Sequence, residues 1–520
     1  MACREISDAL LAMDHPTASQ VRSTIRETCS RHSMSSLPRN YEILATVHGA
    51  DFDRLRDVLV TKPVKTASGV AVIALMPKPF ACPHGRCTYC PGGTHINTPN
   101  SYTGTEPATI NAIANEYDPV LQITSKLERL VACGHDPSKL ELVIVGGTFL
   151  FMPESYRRRF IKSCYDALNG FVSPSLGEAQ LANETARIRN VGLTIETKPD
   201  YCKREHVDAM LEYGATRVEI GVQSLQERVY HITNRGHTYS DVIESFAVAR
   251  DSGYKIVAHM MPGLPTVTPR EDLADFERLF ADDDLKPDML KIYPSLVLEG
   301  TPLYREYEAG RYTPYTEKEI VRLLVSVKRI VPPWVRIMRV QREITSQSIA
   351  GGPRQGNLRQ IVLDAMRSDG VSCRCIRCRE VGLAGHSADA APPKLKTRRY
   401  GAAAGDEVFL SYEDADDLIY GFLRLRSPGS CVHRAEITPH SCIIRELHVY
   451  GRSLGVGQRN HSDIQHSGLG RQLLARAEQV AREDYDARKM LVISAVGTRQ
   501  YYHRLGYRRD GPYMSRDLRE

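Results

Sequence analysis

The chain of 520 residues has no apolar run that reaches the about 20 residues needed to cross a bilayer. Its first residues, MACREISDALLAMDH, carry charged side chains among the apolar ones, which excludes a secretory signal. These two absences argue against a membrane-spanning protein and against a secreted one. We therefore expect a soluble cytoplasmic protein without a membrane partner.

A disulfide framework is also not expected. The 13 cysteines are odd in number and scattered along a long chain, and six of them fall into two tight clusters. This pattern is typical of intracellular metal binding rather than of disulfide pairing. The first cluster, Cys82, Cys87 and Cys90, follows an apolar run at 69–76, and we call residues 82–90 the cysteine loop.

Acidic residues are scarce between residues 321 and 400. This zone holds 16 Lys and Arg against 5 Asp and Glu, a net charge of +11, which leaves −5 for the rest of a chain whose total is +6. A basic zone in a near-neutral protein suggests a polyanion surface, with nucleic acid as the first candidate. The alternative is a solvated face between domains. Trp334 and Tyr400 lie near this zone and could stack unpaired bases, although core packing is the commoner use of a lone tryptophan.

Six apolar, strand-like runs alternate with helical stretches and predict an α/β fold, a parallel sheet curled into a partial (βα)6 barrel. The runs are GVAVIALM (69–76), LELVIVGG (140–147), VGLTIETK (191–198), ATRVEIGVQS (215–224), YKIVAHMMPG (254–263) and MLKIYPSLV (289–297). Their ends carry the cysteine loop, Gly146-Gly147-Thr148, Glu196-Thr197-Lys198, Gln223-Ser224, His259, and Lys291 with Tyr293. Because catalytic groups gather at the carboxyl ends of barrel strands, we expect the chemistry at this edge.

The cysteine loop predicts a metal site of one of two kinds. Three thiolates can hold a 4Fe-4S cluster and leave one iron open, to which S-adenosylmethionine (SAM) can bind and yield a 5′-deoxyadenosyl radical. Gly146 and Gly147 would then let the backbone approach the methionine moiety, and Glu196 could accept hydrogen bonds from the ribose. However, four residues separate Cys82 from Cys87, one more than in the usual loop of radical enzymes, so structural zinc remains an alternative.

A glycine-rich turn near the carboxyl end predicts a second cofactor site. In QHSGLGR, the turn opens a helix and presents backbone N–H groups to a pyrophosphate. The preceding strand would be splayed to bind pantetheine amides, and Tyr501 and Tyr502 would reach the thioester. The residues of the turn and strand are Gln465, Gly468, Leu469, Gly470, Arg471, Glu446, Leu447, His448 and Val449. This order is that of acetyltransferases that use acetyl-CoA, and an ordinary β–turn–α unit is the alternative.

The second cysteine cluster comprises Cys373, Cys375 and Cys378 amid arginines. Its Cys-x-Cys-x-x-Cys spacing predicts a small structural zinc clip that fastens the basic zone to the C-terminal domain. The fourth ligand cannot be identified from the pattern, although His386 and Cys431 lie downstream. Free thiols are the alternative.

Taken together, these motifs closely resemble the catalytic subunit of the Elongator complex, in the single-subunit form of archaea and bacteria. The matching stretches run in order over about residues 55–520 and include CTYCPGG, SYTGTEPAT, VGGTF, GLTIETKPDYC, VEIGVQS, NRGHT, HMMPGLP, VPPWVRIMRVQREI, RELHVYG, QHSGLG and VGTRQYY. The family tolerates longer spacing between its first two cysteines, so the resemblance favours iron–sulfur over zinc in the cysteine loop.

The resemblance implies a radical SAM domain joined to an acetyltransferase-like (GNAT-like) α+β domain. It implies that the wobble uridine (position 34) of tRNA anticodons is converted into 5-carboxymethyluridine. The 5′-deoxyadenosyl radical would take a hydrogen from the acetyl methyl group, the carbon radical would add to C5 of the uridine, and the thioester would be hydrolysed. By motif match, Cys82, Cys87 and Cys90 would bind the cluster, and Tyr502 would join them in catalysis. Lys139, Glu446 to Val449, Leu469 to Arg471 and Tyr502 would contact acetyl-CoA.

On this reading we expect four segments. They are a helical tRNA-binding module (1–60), the radical SAM partial barrel (61–345), a basic linker with the zinc clip (346–397) and the acetyl-CoA-binding domain (398–520). The expected partners are tRNA, acetyl-CoA and an electron donor, and a homodimer is one form that the sequence leaves open. Two other functions stay open: a protein lysine acetyltransferase, for which Glu446 is the one clear candidate base, and a non-catalytic tRNA-binding module with zinc in both cysteine clusters.

Overall fold

Four helices open the chain in the computed structural model, which describes residues 1–14, 16–60, 69–384, 391–450 and 468–519. They are α1 (Ala2–Leu11), α2 (Ala18–Arg31), α3 (Asn40–Leu44) and α4 (Ala50–Leu59). Helix α2 begins after Thr17, whose hydroxyl accepts a hydrogen bond from the Gln20 N–H in a capping box. Apolar side chains such as Ile6, Leu10 and Ile25 pack into a small core of their own.

The first sheet contains seven parallel strands in the order β1-β2-β3-β4-β5-β6-β8. They are β1 (Ala71–Leu75), β2 (Lys139–Ile144), β3 (Arg189–Thr197), β4 (Arg217–Gln223), β5 (Lys255–Met260), β6 (Met289–Ile292) and β8 (Arg336–Arg339). The six strands predicted from the sequence are confirmed. The seventh, β8, lies in the arginine-rich run at 324–344, where the sequence also predicts a strand, and it extends the sheet beyond the six strands of the expected barrel.

Helices connect the strands and cover the outer face of the sheet. They are α5 (Pro107–Ala114), α6 (Pro119–Ala132), α7 (Glu154–Asn169), α8 (Leu176–Asn183), α9 (Arg204–Glu212), α10 (Glu227–Ile232), α11 (Tyr239–Asp251), α12 (Pro269–Ala281), α13 (Pro302–Glu308), α14 (Glu317–Ile330), α15 (Leu358–Ser368), α16 (Ile376–Arg379) and α17 (Val381–Ala384). A two-stranded ribbon pairs β7 (Val297–Leu298) with β9 (Ile349–Gly351). Threonines at 238, 268 and 316 start α11, α12 and α14 with capping boxes. None of the described helices combines the length and apolar character that a membrane crossing requires.

The strands alternate between a face that packs on helices and a face that points into the barrel. On β2, Leu140, Leu142 and Ile144 are buried in the main core under the helices. The intervening residues Lys139 and Glu141 line the barrel interior. This period of two is that of any strand, and here it places charged side chains inside the half-barrel.

The second sheet has seven strands in the order β10-β11-β12-β13-β14-β16-β15. They are β10 (Lys394–Ala402), β11 (Gly405–Glu413), β12 (Ile419–Ser427), β13 (Ser441–Val449), β14 (Lys489–Val492), β15 (Arg508–Asp510) and β16 (Tyr513–Asp517). Two helices, α18 (Leu469–Tyr485) and α19 (Arg499–His503), complete this unit. The sheet begins at Lys394, ahead of the expected boundary at 398, because β10 pairs along its length with β11.

The segment expected to be a basic linker is largely packed structure. Helix α15 buries Leu358, Val362 and Met366 in the main core, and Cys373 and Cys375 lie in the same core. An extended linker would leave such apolar side chains in water, at a cost of about 1.5–3 kcal/mol each. Residues 346–384 of this segment therefore pack on the first sheet through α15, and Ile376 and Val381 of the same stretch pack with Phe409 and Phe422 of the second sheet.

A buried network of ion pairs joins the two sheets at the amino-terminal edge of the first. Arg445 of β13 donates to both carboxylate oxygens of Asp288, at 2.6 and 2.7 Å. Arg426 of β12 donates from Nε to Asp251, at 2.8 Å, and Arg445 reaches Glu407 at 2.9 Å. Since Asp288 directly precedes β6, the second sheet packs against the edge opposite the cysteine loop.

Candidate active site

The barrel interior opens into one cavity of about 1990 Å³. At the carboxyl ends of the strands, the cavity is lined by Tyr89 of the cysteine loop, Gln223 and Met261. At the other end it is lined by Gly468, Gly470 and Arg471 of the glycine turn and by Tyr501 and Tyr502 of α19. The cavity thus reaches from the cysteine loop, through Tyr89, to the glycine turn, and Glu196 also lines it. The predicted cluster ligands Cys82, Cys87 and Cys90 are not among the residues that line it, nor are Gly146 and Gly147.

An ion pair lies at the end of this interior nearer the second sheet. The Arg217 guanidinium contacts the Glu141 carboxylate, which also accepts a hydrogen bond from the Thr194 hydroxyl at 3.0 Å. Lys255, at the start of β5, lines the cavity nearby, and burial lowers its pKa to about 8. Sequence reasoning missed these residues. The signal was the alternation of charged and apolar residues in KLELVI, RVEIGVQ and KIVAHM.

A second polar cluster lies toward the carboxyl ends of the strands. Glu219 contacts the Lys291 ammonium and the His259 Nε2, the latter at 2.9 Å. Burial alone would raise the pKa of Glu219, but Lys291 and His259 together lower it below its usual value. Glu196 lines the same space, with its carboxylate 3.7 Å from His259 Nδ1. The contact of Glu196 with a ribose stays a prediction.

The cysteine loop follows β1, with Cys87 and Cys90 buried and Cys82 half-buried. The Asn100 amide lies 3.1 Å from Cys82 Sγ, and the Ser101 N–H donates to Cys90 Sγ, also at 3.1 Å. Burial, followed by the nearby thiols, raises the pKa of Cys82 to about 11. Donors aimed at sulfur are the surroundings that thiolate ligands of a metal require.

The spacing of the thiols distinguishes the two cysteine clusters. A tetrahedral zinc with Zn–S bonds of about 2.3 Å brings its sulfurs within about 4 Å of one another. Within the described residues, one group of three His, Cys, Asp or Glu side chains has all its donor atoms within 4.8 Å: Cys373, Cys375 and Cys378. The three thiols of the cysteine loop do not form such a group, so this measure gives support for a zinc site to Cys373, Cys375 and Cys378 alone among the described residues.

Gly146 and Gly147 lie directly beyond β2 in the left-handed region, with φ of +117° and +95°. A β-carbon on Gly146 would come within 3.0 Å of the Pro99 side chain. These glycines therefore allow the loop that carries Asn100 to approach β2 closely. Their contact with a methionine moiety stays a prediction.

The glycine turn begins the described part of the second cofactor site, since Gln465 lies outside the described residues. Gly468 has a φ of +85° and precedes α18. A β-carbon on Gly470 would meet the Tyr501 hydroxyl at 3.2 Å, so the turn and the tyrosine are in contact. The Leu469 side chain is buried with Phe422 and Tyr450. Only the backbone of Leu469 is thus suited to contact a ligand.

The strands β13 and β14 separate beside this turn. They pair from Ser441 to Ile444, and β14 ends at Val492. Among the described strands, the stretch from Glu446 to Val449 therefore pairs with β12 alone. This is the splayed geometry expected for a strand that binds an extended amide-containing ligand.

The remaining predicted acetyl-CoA residues differ in how they meet the cavity. Lys139 lines the cavity at the start of β2, and burial lowers its pKa. Tyr502 is buried, and its ring lies edge-on to that of Tyr501 at 5.2 Å. The Glu446 carboxylate accepts a hydrogen bond from Arg424 Nε at 2.8 Å. Burial would raise the pKa of Glu446, but Arg424 and Lys255 lower it, which makes this carboxylate a weak base.

The second cysteine cluster contains a buried lysine that the sequence pattern did not reveal. Lys328 of α14 lies with Nζ 3.3 Å from Cys373 Sγ and 3.7 Å from Cys378 Sγ. Burial would lower the pKa of Lys328, but the three thiols raise it. Cys431, the other downstream candidate among the described residues, is not part of the group of sulfur atoms that lie within 4.8 Å of one another. His386 lies outside the described residues.

Some cations of the basic zone are paired in the interior and others are exposed. Arg336 contacts Glu380, and Arg398 contacts Glu413 at 2.6 Å. Arg354, Arg374 and Lys394, by contrast, are exposed.

The two aromatic residues near the zone pack inside the protein. Trp334 and Tyr400 stack on each other at 4.4 Å between the two sheets. The structure thus favours the packing role for these rings over base stacking.

Comparisons with known proteins agree with this architecture. Four family models match the chain in order: the ELP3 N-terminal domain over residues 1–67, the radical SAM superfamily over 77–279, the radical SAM C-terminal domain over 287–368, and the acetyltransferase (GNAT) domain over 461–518. The expected pairing of a radical SAM half-barrel with a GNAT-like domain is confirmed. The radical SAM match also favours the iron–sulfur interpretation of the cysteine loop.

Similar proteins cover nearly the whole chain. The human Elongator complex protein 3 is 44% identical over 504 residues, covering 95% of this chain and 92% of its own. The tRNA uridine(34) acetyltransferase of Methanocaldococcus jannaschii is 44% identical over 92% of this chain and 90% of its own. The solved structure of the archaeal Methanocaldococcus infernus Elp3 aligns with a TM-score of 0.76 and 40% identity, over 86% of this chain and 99% of that one. The chain therefore belongs to the Elongator complex protein 3 family.

Proposed function

We propose that the protein is a tRNA-modifying enzyme that uses acetyl-CoA and SAM to form 5-carboxymethyluridine at the wobble uridine (position 34). The relatives named for Elongator complex protein 3 and for tRNA uridine(34) acetylation support the substrate class. A target base must leave the anticodon stack to enter such a site.

The observation that carries this proposal is the common cavity. The cysteine loop lies at one end of the half-barrel and the glycine turn at the other, and the barrel interior connects them. A strand of six residues such as β2 spans about 20 Å. The acetyl group, still bound to CoA as the thioester, would extend through the barrel interior toward the cysteine loop, where the strands shield it from water.

The cysteine loop fits a 4Fe-4S cluster, because it offers three thiols, of which Cys87 and Cys90 are buried, and N–H donors approach the sulfur atoms of Cys82 and Cys90. Reductive cleavage of SAM at such a cluster supplies a 5′-deoxyadenosyl radical. In our proposal Cys82, Cys87 and Cys90 hold the cluster, the Gly146–Gly147 backbone lies along the methionine moiety, and Glu196 accepts from the ribose hydroxyls. Below these residues, the barrel interior would stay polar because of the cluster of Glu219, Lys291 and His259, whose mutual contacts hold its side chains in place.

The acetyl-CoA site is proposed on the turn and the splayed strand. The backbone N–H groups at the start of α18 would bind the pyrophosphate, with Arg471 adding its charge. The backbone of residues 446–449 would bind the pantetheine amides, Lys139 would neutralise a phosphate, and the Tyr502 hydroxyl would orient the thioester carbonyl. These roles predict that acetyl-CoA and SAM bind independently.

For the second cysteine cluster we propose a structural Zn²⁺ held by Cys373, Cys375 and Cys378. The close approach of the three sulfur atoms and the burial of Cys373 and Cys375 support this assignment. The Lys328 ammonium would offset the negative charge of three thiolates, which a tetrahedral site with a neutral fourth ligand otherwise leaves unbalanced. The cytoplasmic location, the four-segment division, the electron donor and the homodimer stay predictions.

The test uses the full chain, purified and reconstituted without oxygen, with SAM, acetyl-CoA, dithionite and a tRNA transcript that carries uridine at position 34. We expect 5′-deoxyadenosine and 5-carboxymethyluridine by mass spectrometry, and neither product from Cys87→Ser. Acetylation of a lysine substrate that survived in Cys87→Ser would favour the lysine acetyltransferase instead. Glu446, the candidate base for lysine acetylation, accepts a hydrogen bond from Arg424, and this interaction argues against the lysine acetyltransferase.

A further inference from the structure

The spacer between Cys82 and Cys87 is folded into a tight turn. The Gly85 N–H donates to the Cys82 carbonyl at 3.1 Å, and Gly85 has a φ of +84°, which a glycine adopts without strain. This turn places His84 against the Cys87 sulfur rather than in solvent. The four-residue spacer thus contains a side chain, His84, that contacts the sulfur of one of the predicted cluster ligands.

The NRGH segment (Asn234–His237), which follows α10, packs against this turn and hydrogen-bonds to it. The Asn234 amide donates to the carbonyls of His84 and Arg86, at 3.2 and 3.0 Å. Gly236 has a φ of +70°, and a β-carbon there would lie 2.3 Å from the His84 Cβ. Any side chain at position 236 would therefore displace His84. The NRGH segment thus helps to hold His84 in its position beside Cys87.

Two nitrogen donors approach the Cys87 sulfur. His84 Nε2 lies 3.2 Å from Cys87 Sγ, and Arg235 Nη1 lies 3.8 Å from it. The Arg235 guanidinium is 9% exposed and is fixed by a 2.9 Å hydrogen bond from Nη2 to the Gly221 carbonyl on β4. A buried guanidinium and an imidazole thus both approach Cys87 Sγ.

The surroundings of His84 determine which of its nitrogens carries the proton. Lys198 Nζ lies 3.0 Å from His84 Nδ1 and 3.1 Å from the Asp200 carboxylate. An ammonium can only donate, so Nδ1 must accept. The neutral imidazole then carries its proton on Nε2 and donates it to Cys87 Sγ. Lys198 is 2% exposed, so this arrangement is held within the protein interior.

We propose that His84, oriented by Lys198, and Arg235 hydrogen-bond the Cys87 thiolate and raise the reduction potential of the cluster. N–H donors and nearby cations stabilise the more negative, reduced form of an iron–sulfur centre. His84, Lys198 and Arg235 are thus positioning residues that act through Cys87. This inference rests on the cluster of the proposed function but not on acetyl-CoA or tRNA.

The experiment is an anaerobic redox titration of the full-length protein, followed by electron paramagnetic resonance without acetyl-CoA or tRNA. We compare His84→Leu, Arg235→Gln and Lys198→Met with the wild type and with His231→Leu, whose imidazole is 78% exposed on α10. We expect His84→Leu and Arg235→Gln to shift the midpoint potential to more negative values, with a smaller shift in Lys198→Met. His231→Leu should keep the wild-type potential, and Arg235→Lys should recover part of the shift.

Wild-type potentials in His84→Leu and Arg235→Gln, at equal iron and sulfide content, would overturn the proposal. If His84→Leu does not retain a cluster, the midpoint potentials of Lys198→Met and Arg235→Lys test the proposal instead, because both variants leave the cysteine loop and the His84 imidazole in place. A shifted potential in an enzyme that made no modified nucleoside would support the inference while contradicting the proposed function. The two failures are therefore distinguishable.

Discussion

Single side chains control access to the proposed acetyl-CoA site. Gly470 contacts the Tyr501 hydroxyl, so the turn has no room for a branched side chain on this face. Gly470→Val should weaken acetyl-CoA binding by about tenfold or more, since it displaces Tyr501 and fills the cavity. Isothermal titration calorimetry measures this, with SAM binding as an internal reference.

The matched control for this change is Gly356→Val. A β-carbon at Gly356 meets nothing within 4 Å, so the same substitution there should leave acetyl-CoA affinity unchanged. Equal affinities for the wild type and Gly470→Val would place acetyl-CoA elsewhere.

One buried carboxyl predicts a pH dependence of stability. Asp272 accepts hydrogen bonds from the Gly263 N–H and the Tyr315 hydroxyl, at 2.8 and 2.7 Å, and burial raises its pKa to about 7. Between the unfolded pKa of about 3.9 and this value, the folded state holds a proton that the unfolded state has released. Stability should therefore be fully present below pH 4 and fall as the pH rises toward 7, by at most about 1.4 kcal/mol per pH unit.

Asp272→Asn should flatten this part of the profile, because the amide stays neutral throughout. Urea unfolding midpoints between pH 4.5 and 8 would test it, with the exposed Asp284→Asn as the control. An unchanged slope in Asp272→Asn would rule out this titration.

The junction between β13 and β6 depends on charge pairs that are out of contact with water. Burial would raise the pKa of Asp288, but Arg445 and Arg424 lower it far below its usual value, so the carboxylate stays ionised. Asp288→Asn would leave buried guanidinium groups without their counter-charge and should destabilise the protein by about 3–5 kcal/mol. Denaturant unfolding measures the loss. Asp283→Asn, whose carboxylate is 71% exposed, should change stability by less than about 1 kcal/mol, and similar losses in both variants would contradict this account.

The strands and helices followed from hydrophobic period, but their partners did not. The six apolar runs of the barrel were readable because each is bounded by glycine or polar residues. The strand in the arginine-rich run was readable too, but its place beside β6 as a seventh strand of the same sheet was not. Arg336 is charged and yet faces inward, where Glu380 pairs with it from a segment more than forty residues away. Lys328 was missed for the same reason, since only the tertiary fold brings it near the sulfur atoms of Cys373 and Cys378. His84 was missed although it is close to Cys87 in sequence, because the spacing of the cysteines does not reveal the turn that places its imidazole against the sulfur.

At the scale of the whole protein, our proposal makes the barrel interior the route between the two cofactor sites. Gly192 lines this route, and a β-carbon there would come within 3.1 Å of the Glu141 side chain. Gly192→Phe should obstruct the passage and lower formation of the modified nucleoside by about 100-fold, because the reacting groups would be held apart. Affinities for SAM and for acetyl-CoA, measured separately, should stay close to those of the wild type and of the Gly192→Ala control. Full activity in Gly192→Phe would show that the acetyl group takes another path.

The central claim is that chemistry started at the cysteine loop reaches an acetyl group delivered from the glycine turn. The most direct measurement is an anaerobic single turnover with acetyl-CoA whose methyl group is fully deuterated, followed by mass spectrometry of the 5′-deoxyadenosine. We predict deuterium in the 5′-deoxyadenosine together with labelled 5-carboxymethyluridine. Unlabelled 5′-deoxyadenosine beside a labelled nucleoside would show that the acetyl methyl group is not the hydrogen donor, and would contradict the account.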